Sequence, residues 1–369
     1  MQMLTKNRRD FLKMGFKLTT LLVFNPFNKL FKIKDPKWPT WESLIDYARW
    51  CPNIHNLQPH RIKIISETEA YLYYDPARLL PIGDPRCVFV TVAMGIFIEH
   101  LSIAAAVHRV KVELVEVYKP ITTQATSYTR FARLKLVESS EKEELNSALI
   151  LERRTSRSQY DGLPLKEAVL SKLKSQSQKF DHDFFYSNDK EMIDFTVKLN
   201  QQTLFEDLSS TSNRKELDHL FRYTKQEAAT RRDGLWARCM GFPGLLMKSV
   251  FRHPERWSEG IKKTMLTDYY RASFKGTATV CWLSGHFDNT NDWLRAGQML
   301  ARNWLLITKE KAYIQPFGSL ITNASAYEQI TKKLNQTKEQ KKIWMIFRAG
   351  YSKEPARSFR LNTNEIIIR

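Results

Sequence analysis

The stretch "VFVTVAMGIFIEHLSIAAAVHRV", Val88 to Val110, constrains the fold more than any other. It is apolar on nearly every face of a helix, so a helix here must be covered on all sides, by protein layers or by lipid. Glu99 and His100 fall inside the run and favour protein over lipid. The rest of the chain can supply those layers: 43% of its 369 residues are hydrophobic, enough core for one large domain or two ordinary ones. The expectation is a globular protein built around a central core helix.

The segments on either side read as a mixture of helix and strand. Thr40 can cap a helix whose apolar face is Trp41, Leu44, Ile45 and Ala48, ended by Pro52. "RIKII" and "AYLYY", joined by the polar "SETE", predict a hairpin, and "VKVELVEVY" and "TRFARLKLV" alternate like strands. "SEKEELNSALILERRTSR" returns to helical character, and helical and mixed segments continue from Leu163 to about Gly276. In the last quarter, the strand "TATVCWLSG" leads through the capping residues Asn289 and Thr290 to the helix "NDWLRAGQMLARNWLLITKE". A loop, "AYIQPFGSL", a short helix near Ala326 to Leu334 and a buried strand, "IWMIFRAGY", follow. Hairpins without a dominant series of βαβ units point to an α+β fold rather than a doubly wound sheet. No repeat of 20 to 50 residues is visible.

Lys and Arg number 58 against 39 acidic residues, a net charge of +19, which suits nucleic acid, an anionic membrane surface or an anionic cofactor. The charge is scattered, with no run of five basic residues and no nucleic-acid module, which argues against nucleic acid. Cysteines 51, 87, 239 and 281 contain no C-x-x-C pair, so neither a structural zinc site nor a dense disulfide framework is expected. Near the N-terminus, "NRRDFLKMG" resembles a twin-arginine export signal, with Asn7 where Ser or Thr is usual. The uncharged stretch Leu18 to Asn28 that follows has 11 residues and contains Pro26, too short to span a bilayer. Lys17 precedes it and no A-x-A-like cleavage site follows, so a basic amphipathic terminus stays open beside export.

Common nucleotide, zinc-protease and serine-hydrolase signatures are missing from the sequence. Two constellations stand out instead. In "WCPNIHNLQPH", Trp50 to His60, Asn53, Asn56 and Gln58 offer amide donors and acceptors on a backbone stiffened by Pro52 and Pro59. Such groups suit the edge of a flat heterocycle, although a capped turn has the same composition. In "ERRTSRSQY", Glu152 to Tyr160, three arginines lie beside the hydroxyls of Thr155 and Ser156. Arginine forks bind phosphate bidentately, although a solvated helix end reads the same way.

Taken together, "ARWCPNIHNLQPHRIKI" resembles the nitroreductase superfamily pattern A-R-x-A-P-S-x-x-N-x-Q-P-W-x-F, and "RRTSRSQY" resembles its flavin-phosphate motif R-R-[ST]-x-R-x-F. "IFRAGYSKEPARSFRL" is similar to the family's closing strand, turn and basic segment. In ordinary members the arginine motif comes first, whereas here Pro52 to Pro59 precedes Arg153 by about a hundred residues. That order resembles the Acg-like branch, in which one chain holds two nitroreductase-like halves that mimic the usual homodimer and keep one flavin site. "YYDPARLLPIGDPR", "RRDGL" and "WLRAGQMLARNWLLITKEKAYIQP" extend the likeness over roughly Trp41 to Arg360.

The resemblance implies an FMN-binding oxidoreductase that passes electrons from NAD(P)H or another donor to a nitroaromatic, quinone or similar small-molecule acceptor. It implies a tail or signal over 1–35, one half over 36–140 and a second over 141–369, with a lid around 221–247 centred on Arg232 to Gly244. Arg153, Arg154, Thr155 and Arg157 would hold the phosphate, assisted by Arg357 or Arg360. Pro52, Asn53, His55, Asn56 and Gln58 would line the flavin from the other half. No catalytic side chain and no metal are expected, and a fused pair of halves could act as a monomer, with a homodimer as the alternative. Asn53 in place of the usual Ser, His60 in place of Trp, and "KAY" at Lys311 to Tyr313 in place of G-L-A mark departures from the pattern.

Export would involve the twin-arginine translocation machinery and place the chain in the periplasm or envelope; without a working signal it would be cytoplasmic. The rival readings are a non-catalytic FMN store, and a basic protein that binds the envelope surface or nucleic acid.

Overall fold

The computed structural model describes residues 38–334 and 341–369, so the twin-arginine-like segment lies outside the described residues. Four strands make the first sheet: β1 (His60–Ile64), β2 (Glu69–Tyr74), β3 (Val110–Val117) and β4 (Thr129–Glu138), in the order β1-β2-β4-β3 and antiparallel throughout. A second sheet starts with β5 (His182–Ser187). The short strands β6 (Phe221–Arg222) and β7 (Leu235–Trp236) pair in parallel apart from it. With β8 (Thr279–Gly285), β9 (Tyr313–Pro316) and β10 (Lys342–Gly350), the second sheet runs β5-β8-β10-β9, again antiparallel. The α+β expectation matches this architecture, and residues Trp38–Arg369 form one compact unit.

The helices are α1 (Trp41–Ala48), α2 (Val88–Ala105), α3 (Ala148–Glu152), α4 (Glu167–Gln178) and α5 (Lys190–Ser209). Then come α6 (Thr211–Leu220), α7 (Lys225–Arg231), α8 (Ala237–Met240), α9 (Gly244–Arg252) and α10 (Gly260–Ala272). The last are α11 (Thr290–Lys309), α12 (Ser319–Thr322), α13 (Ala324–Leu334) and α14 (Thr363–Ile366). Caps place several ends as expected. Thr40 accepts from the Ser43 amide at 3.3 Å, burying Trp41, Leu44, Ile45 and Ala48, and Asn289 accepts from the amides of Asn291 and Asp292 at the start of α11.

Helix α2 with the turn that follows it is long and apolar enough to cross a membrane, yet 83% of its most apolar 18 residues are buried inside the protein. Its cover is largely α11. The two axes approach closely because each helix offers a glycine to the other's backbone: a Cβ on Gly95 would lie 2.1 Å from the Leu294 carbonyl oxygen, and one on Gly297 would lie 2.0 Å from that of Val92. Glu99 inside the run is matched across the interface by Arg302 at 2.6 Å, which also holds Glu143 at 2.7 Å. Burial nevertheless holds the Glu99 carboxyl above its ordinary range.

Every residue of β8 is buried because the two faces of its strand enter different cores. Cys281 and Leu283 join the main core, which takes side chains from both sheets, α1, α2, α4 and α11. Val280 and Trp282 join a second core made with α5, α10, α12 and α13.

Three local expectations change. Residues 139–147 are not helical: only Ala148–Glu152 forms a helix, and Glu143 turns inward to Arg302. "AYIQPFGSL" is not simply a loop, because Tyr313–Pro316 pairs with β10 as an edge strand, a place where proline is tolerated. The strand His182–Ser187 lies inside the region read only as helical and mixed.

Candidate functional site

The Pro52–Pro59 loop turns sharply after α1, with His55, Asn56 and Gln58 all in the left-handed region at φ 46°, 58° and 55°. Three such residues without glycine are held only if side chains fix them. Asn53 Oδ1 accepts from the Gln58 amide at 2.9 Å, and Asn53 Nδ2 donates to the Cys51 carbonyl at 3.0 Å. Asn56 Nδ2 donates to the Phe359 carbonyl at 3.0 Å, and its Oδ1 accepts from Arg360 Nη1. Gln58 is fully buried: Nε2 donates to the carbonyls of Asn56 and Arg232 at 3.1 and 2.8 Å, while Oε1 accepts from the Leu361 amide at 2.8 Å. The three amides thus tie together the loop, the Arg232 segment and the C-terminal segment. His55 is half-buried, and burial with the Arg157 charge brings its imidazole down to about 4.

Arg153 caps the C-terminus of α3 and is buried, its guanidinium 4.6 Å over the Trp304 ring. Nη2 reaches the Trp50 carbonyl at 3.4 Å, while Nε and Nη1 have no partner. Arg360 is buried beside the loop with Nε unpartnered. Arg357 stacks on Trp50, 3.4 Å from the ring centroid. Arg154 donates to the carbonyls of Leu151 and Arg153 at 2.7 and 2.9 Å and reaches the exposed Glu354 at 3.8 Å. Among the described residues no carboxylate pairs with Arg153, Arg357 or Arg360. Burial and mutual repulsion therefore lower the guanidinium of Arg153 to about 9 and those of Arg357 and Arg360 to about 10.

Thr155 and Ser156 lie along the edge strand β9. Thr155 forms a bridge with Ile314, the Ser156 amide donates to the Ile314 carbonyl at 3.1 Å, and the hydroxyls of Ser156 and Ser352 meet at 2.8 Å. Tyr160 locks the end of the motif: Arg348 stacks on its ring at 4.1 Å, and a Cβ on Gly350 would lie 2.6 Å from that ring. Arg157 points the other way and donates to the Cys239 carbonyl at 3.2 Å.

The segment Arg232 to Gly244 is anchored to all of these parts. The Gly234 amide donates to the Asn56 carbonyl at 3.2 Å, the Cys239 thiol approaches the Ala356 carbonyl at 3.5 Å, and Arg232 pairs with Glu365 at 2.6 Å. Behind it, a largely buried ion network runs from Arg61 to Asp75 (2.8 Å), Asp75 to Arg78 (3.3 Å), Arg78 to Asp233 (3.5 Å) and Asp233 to Arg222 (2.6 Å). An open cleft of about 440 Å³ is lined by Trp236, Phe242, Arg238, Lys225 and their neighbours, a size suited to a small-molecule ligand.

The fold therefore brings Arg153 and Arg360, both buried, to the Pro52–Gln58 loop, with the partly buried Arg154 and the exposed Arg357 at its outer side. It sets Thr155 on β9 and turns Arg157 towards the Arg232 segment. The amides expected to face a ring edge are engaged with protein groups. Two residues beside the site carry no such signal in the sequence: His100 reads only as a polar break in an apolar run, and Trp304 as an apolar helix residue. The guanidinium groups of Arg153 and Arg360, buried and without a carboxylate among the described residues, demand an anion. Forked donors left unpartnered fit the oxygens of a phosphate monoester such as that of FMN.

No family model matches the chain, and no curated protein matches it. Similar solved structures include an FMN and NADPH-dependent nitroreductase, NfnB, from Sphigopyxis sp. strain HMH, with 10% identity, TM-score 0.36, and 60% of this chain and 97% of that one covered. The FMN-dependent nitroreductase NfnB from Mycobacterium smegmatis, in complex with NADPH, gives 14% identity and TM-score 0.36 over 59% and 94% of the two chains. A nitroreductase-like family protein from Bacillus cereus gives 13% and 0.35 over 62% and 96%. Likenesses at this level assign neither a family nor an activity.

Proposed function

We propose that the chain is an FMN-binding oxidoreductase of nitroreductase type. The observation that carries this reading is the convergence of Arg153 and Arg360, about two hundred residues apart in sequence, on the Trp50–Asn56 loop as buried cations without a carboxylate among the described residues. Arg153, Arg154, Arg357 and Arg360 hold the flavin phosphate, with Thr155 shaping the turn beside β9. The Pro52–Gln58 loop and the Arg232–Gly244 segment form opposite walls. His55, kept neutral by its surroundings, and the Trp236 cleft lie on the substrate side. FMN, when bound, supplies the two-electron chemistry between NAD(P)H or another donor and a nitroaromatic, quinone or similar acceptor. The chain's own residues bind and orient the cofactor and keep water from it.

In this reading two nitroreductase-like halves are fused. Each half contributes a four-stranded antiparallel sheet and one long central helix, and the reciprocal glycine contacts of α2 and α11 support it. "NRRDFLKMG" supports export by the twin-arginine route to the envelope. Replacing Arg8 and Arg9 by Lys and fractionating cells tests that step, and unchanged localisation refutes it.

The absorption spectrum of the purified protein tests the cofactor: a flavin spectrum is expected, lost in Arg153→Ala. A colourless wild type that takes up no FMN overturns the reading. A second reading, an FMN store without turnover, is favoured by the number of bonds that hold the Arg232 segment shut. NAD(P)H oxidation with a panel of acceptors separates the two, since a store gives no turnover with any pair.

A further inference from the structure

Inside the arginine cluster lies a group of buried nitrogens that no group among the described residues satisfies. His100 is fully buried on α2, and neither of its ring nitrogens has a hydrogen-bond partner. Both ring nitrogens of His60, also fully buried, are equally without partners; its ring stacks at 4.2 Å on Phe97, one helical turn before His100. Arg153 adds Nε and Nη1 to the set, and Arg360 adds Nε. The groups converge on the Trp50–His60 loop where it meets α2: Arg153 Nη2 reaches the Trp50 carbonyl, Arg360 Nη1 donates to Asn56 Oδ1, and His60 stacks on Phe97, so that the charges of Arg153 and Arg360 both bear on His100.

Buried polar atoms are ordinarily paired, and leaving several together unpaired is costly. Guanidinium nitrogens only donate, and a neutral imidazole always keeps one N–H to donate. The missing partner is therefore rich in acceptors. Water would satisfy an imidazole but leave two guanidinium groups without a counter-charge. An anion with several oxygens satisfies both demands. A third cation at position 100 would add to the repulsion that already lowers Arg153 and Arg360, whereas histidine adds a donor without adding charge.

We infer that His100 donates a ring N–H to the phosphate group held by Arg153 and Arg360, so that the anion site has an imidazole wall on α2 as well as its arginine motif. His60 and Phe97 close the same pocket beside it. The existence of the site follows from the unpartnered atoms, whereas the identity of its anion as FMN rests on the flavoprotein reading.

Binding of FMN, riboflavin and inorganic phosphate to the full chain, wild type against His100→Leu, tests this. The variant is expected to bind FMN about 10-fold or more weakly, the worth of one hydrogen bond to a charged group, with riboflavin unchanged. It is also expected to lose the rise in melting temperature that inorganic phosphate gives the wild type. Equal FMN and phosphate binding by wild type and variant overturns the role of His100 and leaves the flavoprotein reading standing. A wild type that binds phosphate through His100 but takes up no FMN supports the site and overturns the flavin. A wild type that binds neither overturns both.

Should leucine prevent folding, the ¹⁵N imidazole resonances of the wild type give an independent answer. The His100 signals are expected to shift with FMN or phosphate and to stay in place with riboflavin; signals unmoved by both phosphate ligands refute the inference.

Discussion

Gly95 and Gly297 stand in reciprocal relation: each lies against the backbone of the helix that carries the other, at Leu294 and Val92. A side chain at either position must push the two helices apart. Gly95→Ala and Gly297→Ala are each expected to destabilise the fold by about 1–3 kcal/mol, the usual cost of overpacking a tight core. Urea unfolding measures it, and a loss at one position alone would count against the fused-halves reading.

Arg153 sets binding against stability. Arg153→Met removes a buried charge that no carboxylate among the described residues neutralises while keeping much of the volume over Trp304. Flavin-free protein is expected to gain about 1–3 kcal/mol, while FMN uptake falls. Melting temperatures with and without FMN show both, and a variant that loses stability while keeping its flavin contradicts the proposed role.

Asp233 holds the Arg232–Gly244 segment from behind by accepting from Arg222 Nε and Nη2 at 2.9 and 2.6 Å and by facing Arg78 at 3.5 Å. Asp233→Asn leaves the buried Arg222 without its counter-charge and Arg78 with Asp75 alone, at an expected cost of about 3–5 kcal/mol. Much of that loss should appear as local opening. Hydrogen exchange over residues 221–247 is expected to accelerate more than exchange in β8.

The buried histidines make stability depend on pH. Burial, with Arg153 and Arg360 facing it, lowers the His100 imidazole to about 3; burial with Arg61, Arg360 and Arg78 lowers His60 in the same direction. The unfolded chain therefore takes up these protons first. Stability is fully present above about pH 6.5 and is lost as the pH falls, down to about 3 for His100 and in the same direction for His60, by up to about 1.4 kcal/mol per pH unit for each histidine. Unfolding titrations at several pH values should show this slope, reduced by about one proton in a folded His100→Asn variant.

Much of the framework was legible because its determinants are local. Thr40 and Asn289 cap their helices, the polar "SETE" joins a hairpin, and the all-round apolarity of α2 leaves it no place except a core. What failed to show was decided by distant partners. Residues 139–147 carry helix-forming glutamates, but Glu143 is drawn to Arg302 on α11. The edge strand β9 contains a proline that disguises it, and it forms because β10 offers it a partner.

The site divides in the same way. Residue types in sequence marked the arginine motif and the polar loop as places where an anion and a flat heterocycle could be held, because forked donors and amides carry that chemistry wherever they lie. Only the tertiary structure decided which of those groups are free to use it. It consumed the amides of Asn53, Asn56 and Gln58 in binding chain segments together, carried Arg360 across the fold to Arg153, and turned His100 inward to meet them. Whether a polar atom is satisfied or left to seek a ligand depends on neighbours far away in the chain, and that distance no local pattern records.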